Sequence, residues 1–264
     1  MGKVYLVGAG PGAPDLLTLR AARILERADI VFHDALVHPE VLALASRARI
    51  VPVGKRCSQI STDQRFINRN LVEAAQRHDV VVRLKGGDPM LFGRAQEEID
   101  ALTDSGIEYE VVPGVTAALG ASAELGVSLT RRGASRSVVF ATPRIGKDQD
   151  DDARGGWAQA VAAADTAVLY MSRGEAPQLV AALRAAGLPA DHPAAIVESA
   201  SLPQARRLHC TLEQLPASAA HTSGGPALVI LGKVLALSAA TSEPSTAENC
   251  LGLCGVSDSQ RAVS

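Results

Sequence analysis

Aromatic residues are scarce in this 264-residue chain, at 3% of its composition, and neither sign of charge dominates. The scarcity of aromatics argues against a stacking platform for single-stranded nucleic acid. A formal charge of −2 argues against general nucleic-acid binding. The longest apolar run, residues 226–237, is too short to cross a bilayer and is interrupted by Lys233. We therefore expect neither a nucleic acid nor a membrane as partner.

Cysteine is also rare, and its spacing excludes two classes of protein. The four cysteines contain no CxxC pair and are too few for a disulfide scaffold; they are Cys57, Cys210, Cys250 and Cys254. The histidines show no HExxH spacing, so we expect no metal site. The N-terminus enters a strand-like run directly, without the apolar stretch of a secretory signal. These features predict a protein of the reducing cytoplasm.

The first part of the chain alternates between short apolar runs and helical periodicity. Strands are predicted over residues 3–7, 30–33, 50–53, 80–84 and 109–112. Helices are predicted over residues 15–28, 41–46, 63–77 and 94–103. This rhythm predicts an α/β fold with a mostly parallel sheet covered on both faces.

The pattern changes near Pro113. A helix of small residues is predicted over 116–125, and strands over 137–141, 166–171, 194–198, 206–211 and 227–231. We therefore predict an N-terminal α/β domain over residues 1–113 and a second α/β domain over 114–238. Residues 239–264 are rich in Ser, Thr, Ala and Glu without periodicity, which predicts a disordered tail.

Three glycine-containing turns are candidates for ligand binding. Residues 8–12 (Gly-Ala-Gly-Pro-Gly) precede the first helix and suit a dinucleotide, another ligand or a plain turn. Residues 86–89 (Gly-Gly-Asp-Pro) follow a strand where open α/β sheets bind ligands, although a turn capped by Asp88 has the same sequence. Residues 113–117 join a strand to a helix, and Thr116 either caps that helix or contacts a ligand between the domains.

Basic residues are concentrated in one part of the chain. Residues 47–94 contain ten Lys and Arg against four Asp and Glu. The basic residues gather near predicted strand ends, at Lys55, Arg56, Lys85 and Arg94. Such a patch suits a small polyanionic substrate such as a polycarboxylate, and a solvated basic face is the alternative interpretation.

Together and in this order, these segments resemble the tetrapyrrole methylases. Residues 7–18 resemble the opening signature of that family, residues 82–94 its second signature and residues 111–117 its third. The Val-Gly-Lys-Arg stretch at 53–56, followed by Gln64, Ile67 and Asn68, resembles one branch, the uroporphyrinogen-III C-methyltransferases. The resemblance covers residues 3 to about 237 and leaves out only the predicted tail.

The resemblance implies an active site in the cleft between two α/β domains, usually within a homodimer. It implies S-adenosyl-L-methionine as cofactor, S-adenosyl-L-homocysteine as product and a small tetrapyrrole as substrate. Asp34 matches a proposed proton acceptor, Lys55 a proposed proton donor, and Arg94 and Glu97 match residues that face the substrate. The matching cofactor-lining positions are Pro11, Gly86, Gly87, Asp88, Leu91, Thr116, Ala117, Met171, Ala200 and Ala227.

The expected reaction is methylation of uroporphyrinogen III at two ring carbons, giving precorrin-2 for cobalamin or sirohaem biosynthesis. The sequence departs from the family pattern at Ala35, where an arginine is expected, and at Ala95 and Gln96, which replace glycines. Ala200-Ser201 also stands where the family has Gly-Thr. A later precorrin methyltransferase of the same fold is therefore the nearest alternative. An RNA or protein methylase, an NAD(P)-binding oxidoreductase and a non-catalytic cofactor-binding module are more distant ones.

Overall fold

Two five-stranded sheets organise the residues that the computed structural model describes, which are 1–54, 64–143 and 156–239. The first sheet has the order β3-β2-β4-β1-β5, and all of its pairings are parallel. Its strands are β1 (Lys3–Gly8), β2 (Ile30–His33), β3 (Arg49–Pro52), β4 (Val80–Lys85) and β5 (Tyr109–Val112). The predicted parallel sheet is confirmed.

Helices cover both faces of the first sheet, as the strands' nearly continuous apolar runs predict. They are α1 (Leu19–Glu26), α2 (Pro39–Ala43), α3 (Gln64–Ala75) and α4 (Ala95–Asp104). The buried layer beside α3 and α4 includes Leu6, Phe32, Ile67, Leu71 and Leu102. The layer on the opposite face includes Val7, Leu25, Val31, Val41 and Leu84.

The helix predicted over residues 15–28 is wrong at its start. A single 3-10 turn, Pro14–Leu16, comes first, and α1 begins only at Leu19. The cause is Thr18, whose hydroxyl accepts a hydrogen bond from the backbone N–H of Ala21 at 3.2 Å. A threonine in this extended conformation caps a helix and so sets its first residue.

The second sheet has the order β6-β7-β10-β8-β9 and is mostly antiparallel, with only β6 and β7 parallel. Its strands are β6 (Val138–Ala141), β7 (Thr166–Leu169), β8 (Pro193–Glu198), β9 (Arg206–Thr211) and β10 (Ala227–Gly232). The helices of this part are α5 (Ala117–Leu125), α6 (Gly156–Ala163), α7 (Ala176–Ala185), α8 (Leu215–Ala220) and α9 (Lys233–Ala239). Of these described helices, only α5 was predicted from the sequence.

Several expectations concern residues outside the described ranges. They include the proposed proton donor Lys55, three cysteines (Cys57, Cys250 and Cys254) and all of the predicted tail except Ala239. Within the described ranges, no helix is long and apolar enough to cross a membrane. No group of three or more His, Cys, Asp and Glu side chains in those ranges is arranged to hold a metal ion.

Candidate active site at the junction of the two sheets

The three glycine turns of the sequence meet at one edge of the first sheet. They follow β1, β4 and β5, which are adjacent parallel strands, so their carboxyl ends lie together. The backbones of Gly10 and Gly87 exchange two hydrogen bonds, at 2.7 and 3.2 Å. A Cβ atom on Gly8 would lie only 2.6 Å from both the Gly87 carbonyl oxygen and the Gly114 nitrogen. The close approach of three backbones requires glycine here.

Asp88 joins the second turn to the third. Its Oδ1 accepts a hydrogen bond from the backbone N–H of Met90 at 2.8 Å, and its Oδ2 accepts one from Gly114 at 3.0 Å. Both carboxylate oxygens therefore hold loops in place, so the capping interpretation is supported. The same bonds fix Asp88, next to Gly87, where the glycine turns meet.

Helix α5 and the loop after β8 form the opposite wall. A Cβ atom on Gly120 of α5 would lie 2.8 Å from Cβ of Pro11 and 3.7 Å from Cβ of Ala200. The Oγ of Ser201 accepts a hydrogen bond from the backbone N–H of Ala13 at 3.0 Å. The loop after β8 is thus bonded directly to the first glycine turn.

Glu124 of α5 supports this wall. Its Oε1 accepts a hydrogen bond from the Ser201 N–H at 3.0 Å, and its Oε2 accepts from the Arg207 guanidinium at 2.7 and 3.1 Å. Glu124 therefore connects β9, α5 and the loop that carries Ala200. Neither Glu124 nor Ser201 was predicted as a site residue, because their contact joins segments 77 residues apart.

Backbone strain is concentrated around this junction. Among the residues that the structure describes, five that are not glycine adopt positive φ, and all five lie in loops that follow β4, β7 or β8: Phe92, Arg94, Met171, Ser199 and Ser201. Side chains disfavour this conformation, and such residues cluster at functional sites. The clustering supports a binding site at the junction.

Tyr170 lies at the centre of the junction and was missed in the sequence. Its hydroxyl lies 2.6 Å from Oγ1 of Thr116 and accepts a hydrogen bond from the Ala118 N–H at 3.2 Å. Its ring packs 4.9 Å from that of Phe92 and 6.2 Å from that of Phe140. Burial raises the pKa of Tyr170. The only signal was an aromatic beside Met171 in a chain with few aromatics.

Two side chains at the junction differ from their default structural roles. Thr116 occupies the N-cap position of α5, as predicted, but its side chain makes no capping bond and instead contacts Tyr170. Met171 is 46% exposed and follows β7, rather than packing in the core as a strand-terminal methionine ordinarily would. Both side chains therefore border the open junction.

The remaining predicted cofactor positions lie in or beside the second and third glycine turns, or at the start of β10. Gly86 begins the second glycine turn and Leu91 follows it, and the Leu91 N–H donates to the Asp88 carbonyl at 3.4 Å. A Cβ atom on Gly87 would lie 3.7 Å from the Ala117 nitrogen. Ala227 begins β10, where it pairs with Glu198 immediately before the loop that holds Ala200.

The predicted catalytic residues are only partly brought together. Asp34 follows β2, and its Oδ1 lies 2.5 Å from Nη2 of Arg83. Arg94 and Glu97 are exposed and bind each other through two hydrogen bonds of 2.7 Å, which hold the pKa of Glu97 below its usual value. A Cβ atom on Gly54 would overlap the backbone of Asp34 and Ala35, so the chain preceding Lys55 packs against Asp34.

Lys85 does not belong to an exposed basic patch. Arg83 and Lys85 are each 2% exposed, and both bind Glu98, which is fully buried. Burial lowers the pKa of Lys85. Burial alone would also lower the pKa of Arg83, but the charges of Asp34 and Glu98 outweigh it, so the pKa of Arg83 is raised. The substrate-facing charge predicted for this strand end is therefore partly internal.

Gln64 and Asn68 form a second layer around this buried charge. Gln64 donates to Oε1 of Glu98 at 3.2 Å and to Oδ1 of Asn68 at 3.0 Å. Asn68 donates in turn to the Glu97 carbonyl at 2.9 Å. The two polar residues that carried part of the resemblance thus connect α3 to α4 beside Glu98.

The sequence model of the family Tetrapyrrole (Corrin/Porphyrin) Methylases matches residues 3–216. The chain belongs to the tetrapyrrole methylase family. A sirohaem synthase of Pseudomonas paraeruginosa is 46% identical to it over 238 residues, which are 89% of this chain and 50% of that protein. The chain thus spans about half the length of the curated relatives it matches.

Solved structures are also similar to this chain. The uroporphyrin-III C-methyl transferase of Thermus thermophilus, solved with S-adenosyl homocysteine, is 40% identical and superposes with a TM-score of 0.78. The alignment covers 89% of this chain and 100% of that one. A cobalt precorrin-4 methyltransferase reaches a TM-score of 0.77 over 88% of this chain and 95% of that one, but at 24% identity it shows the fold alone.

The topology of this tetrapyrrole methylase does not favour the dinucleotide interpretation of residues 8–12. β4 lies between β1 and β2, whereas the dinucleotide-binding fold places its first two strands side by side. Residues 13–18 also separate the glycine turn from α1, so the turn does not open directly into a helix. Residues 8–12 were the feature that suggested an NAD(P)-binding oxidoreductase, so this topology removes the support for that alternative.

One buried carboxylate in the tetrapyrrole methylase makes stability depend on pH. Glu198 accepts hydrogen bonds from Ser223 at 2.8 Å and Gly225 at 2.7 Å. Burial alone would raise the pKa of Glu198, but these backbone donors outweigh it and hold the pKa below 4.5. Stability from this carboxylate is therefore complete above pH 4.5 and is lost as the pH falls through the folded-state pKa.

We expect Glu198→Gln to melt at a lower temperature than the unsubstituted protein at pH 7, because a buried amide replaces the charged acceptor. As the pH falls through the folded-state pKa of Glu198, which lies below the ordinary value of a glutamate, the difference in melting temperature should shrink. Calorimetry across this range measures both effects. Glu213→Gln, at an exposed position, is the control. A melting difference that stays constant with pH would contradict this account.

Proposed function

We propose that the chain transfers methyl groups from S-adenosyl-L-methionine to two ring carbons of uroporphyrinogen III, giving precorrin-2. The observation that carries the proposal is the junction of three glycine turns and the Ser201 loop, bordered by Asp34. It is supported by 40% identity, over 89% of this chain and 100% of the other, to an enzyme named uroporphyrin-III C-methyl transferase. Because the chain spans half of its sirohaem synthase relatives, the activity of those longer proteins is not assigned to it.

The cofactor is S-adenosyl-L-methionine, and the residues at the junction fit it. Gly86 and Gly87 leave open backbone there, since a Cβ atom on Gly86 would meet only Leu36, at 3.4 Å. Side chains at both positions would fill the space that the ligand needs. We assign the cofactor to this space, between the second glycine turn, Thr116 and Ala200.

The residues of this chain then have two tasks. When bound, the cofactor supplies an activated methyl group on a sulfonium sulfur, whose bond electrons return to sulfur as the methyl leaves. The protein aligns the attacking pyrrole carbon with that methyl, and alignment of this kind contributes about 7–11 kcal/mol. Asp34, which is 31% exposed, takes the proton that the ring loses after each transfer.

The second candidate is a later precorrin methyltransferase. Ala35, Ala95 and Gln96 leave this candidate open, because they depart from the family pattern close to Asp34 and Glu97. Gln64 and Asn68 favour the first candidate, since the structure uses them to support the buried charge beside Asp34. The exposed Arg94–Glu97 pair is where either substrate would meet the protein.

Release of S-adenosylhomocysteine with different acceptors tests the proposal. Uroporphyrinogen III should release two equivalents per tetrapyrrole under anaerobic conditions. A later corrinoid, such as a cobalt-precorrin-4 preparation, should release none beyond the background without acceptor. Turnover with the corrinoid alone would establish the second candidate and overturn the first.

Glu124→Ala is expected to weaken S-adenosylhomocysteine binding without preventing folding. The variant removes the carboxylate that holds the Ser201 N–H, so the wall containing Ala200 loses part of its order. We expect the dissociation constant to rise about fivefold, corresponding to about 1 kcal/mol. Isothermal titration calorimetry measures this, and Glu73→Ala, on the exposed face of α3, is the control. Equal affinity of both variants would remove Glu124 from the cofactor wall.

Three further points belong to the same proposal. We propose that the enzyme works as a homodimer in the cytoplasm and supplies precorrin-2 to cobalamin or sirohaem biosynthesis. The assignment of residues 1–113 and 114–238 to two domains, each containing one of the sheets, is also part of it. Lys55 keeps its proposed role as proton donor, and its side chain lies outside the described residues.

A further inference from the structure

Four charged side chains form a continuous chain from the protein interior to the edge of the junction. Lys85 donates to both oxygens of Glu98, at 2.9 and 3.0 Å. Arg83 binds Glu98 through Nε at 2.9 Å and Asp34 through Nη2 at 2.5 Å. Only Asp34 reaches solvent to any extent, at 31% side-chain exposure against 3% or less for the other three. The chain of charges therefore ends at Asp34.

Stability alone does not explain this arrangement. Arg83 and Lys85 project from the α3–α4 side of β4, where the preceding position on that side is the apolar Val81 of the core. Replacing buried ion pairs by well-packed apolar side chains is often neutral or stabilising, so such pairs are weak evidence of a stabilising role. The geometry instead directs Nη2 of the Arg83 guanidinium at Oδ1 of Asp34.

We propose that Arg83 is a positioning residue for Asp34, and that Glu98 holds Arg83 in the orientation this requires. The inference rests on the role of Asp34 given under the proposed function. Arg83 holds Oδ1 of Asp34, and among the described residues none donates a hydrogen bond to Oδ2. Oδ2 is therefore the oxygen that the proton from the ring reaches.

Each member of the chain has a separate task. Glu98 accepts from Nε of Arg83 and so sets the plane of the guanidinium, while the Leu84 carbonyl accepts from Nη1 at 3.2 Å. Lys85 offsets the charge of Glu98, which leaves the charge of Arg83 to act on Asp34. Without Arg83, the Asp34 carboxylate would rotate freely about its terminal torsion.

A double-mutant cycle tests the inference, using Asp34→Asn, Arg83→Met and the two combined. We expect Arg83→Met to lower kcat for methylation of uroporphyrinogen III by 10- to 100-fold. KM for the tetrapyrrole should stay within about threefold and the dissociation constant of S-adenosylhomocysteine within about twofold, as for a group that acts on proton removal alone. In the Asp34→Asn background, Arg83→Met should cause no further loss of kcat. Arg69→Met, on the exposed face of α3, is the control.

Loss of S-adenosylhomocysteine binding would reveal that Arg83→Met does not fold. In that case, two conservative variants test the same inference. Arg83→Lys keeps the charge but cannot bind two carboxylates in fixed geometry, and Glu98→Gln keeps the shape but weakens the hold on Arg83. Each should lower kcat with little change in KM.

The outcomes separate this inference from the proposed function. The positioning role would be overturned if Arg83→Met lowered kcat equally in the native and Asp34→Asn backgrounds. Wild-type kcat in the Arg83 variants that fold would also overturn it. Either result would leave the methyltransferase proposal intact. Absence of methylation by the unsubstituted protein would overturn both. Wild-type kcat in Asp34→Asn would remove the catalytic role of Asp34 and this inference with it.

Discussion

Gly114→Ala is expected to abolish measurable cofactor binding and to lower stability. The new Cβ atom would overlap the Gly87 carbonyl oxygen and would lie 2.9 Å from Cα of Gly8, so all three glycine turns would have to separate. Forcing a methyl group into a packed site costs about 1–3 kcal/mol, and we expect the upper end because backbone atoms cannot rotate away. Affinity for S-adenosylhomocysteine should fall about 100-fold or more, or about 2.7 kcal/mol.

Calorimetric titration and thermal melting measure these two effects. Gly174→Ala is the matched control, since a Cβ atom there would have no neighbour within 4 Å and the residue lies in the second half of the chain. Native affinity in Gly114→Ala would show that the cofactor does not depend on contact between the second and third turns. A similar loss in both variants would point to a general effect of alanine substitution.

Asp34→Asn should reduce methylation strongly while leaving cofactor binding intact. The amide still fills the site beside Arg83 but cannot accept the proton that the ring loses. Loss of a general base typically lowers the rate by about 10²- to 10⁴-fold. The measurement is kcat with uroporphyrinogen III, together with the dissociation constant of S-adenosylhomocysteine, which should stay within about twofold.

The control for Asp34→Asn is Asp104→Asn at the exposed end of α4. The control should keep both kcat and affinity. If Asp34→Asn methylated at the native rate, another group would have to remove the proton, and the assignment of Asp34 would be wrong. If affinity fell together with kcat, Asp34 would act on cofactor binding instead.

The sequence predicted the first sheet more fully than the second. Continuous apolar strands and amphipathic helices gave the parallel sheet, and the strand Tyr109–Val112 was predicted residue by residue. Helices α6, α7 and α8 were missed because they are rich in alanine, which weakens the contrast between their faces. The antiparallel pairing of β8, β9 and β10 was not predicted either, since strand direction depends on contacts distant in sequence.

The three glycine turns were predictable from their motifs, while the surroundings of the proposed catalytic residues were not. Glycine patterns after predicted strands located the turns that meet at Gly8, Gly87 and Gly114. Charge counting placed Lys85 on the surface, but only the tertiary fold shows that Glu98 of α4 neutralises it. Tyr170 carries no motif, and its role depends on a hydroxyl contact 54 residues away in the sequence.

A mass spectrum of the tetrapyrrole tests the central claim most directly. The purified protein would be incubated anaerobically with S-adenosylmethionine and enzymatically prepared uroporphyrinogen III. The account predicts a gain of two methyl groups. A tetrapyrrole of unchanged mass, from a protein that still binds S-adenosylhomocysteine, would contradict it and assign the site to another acceptor.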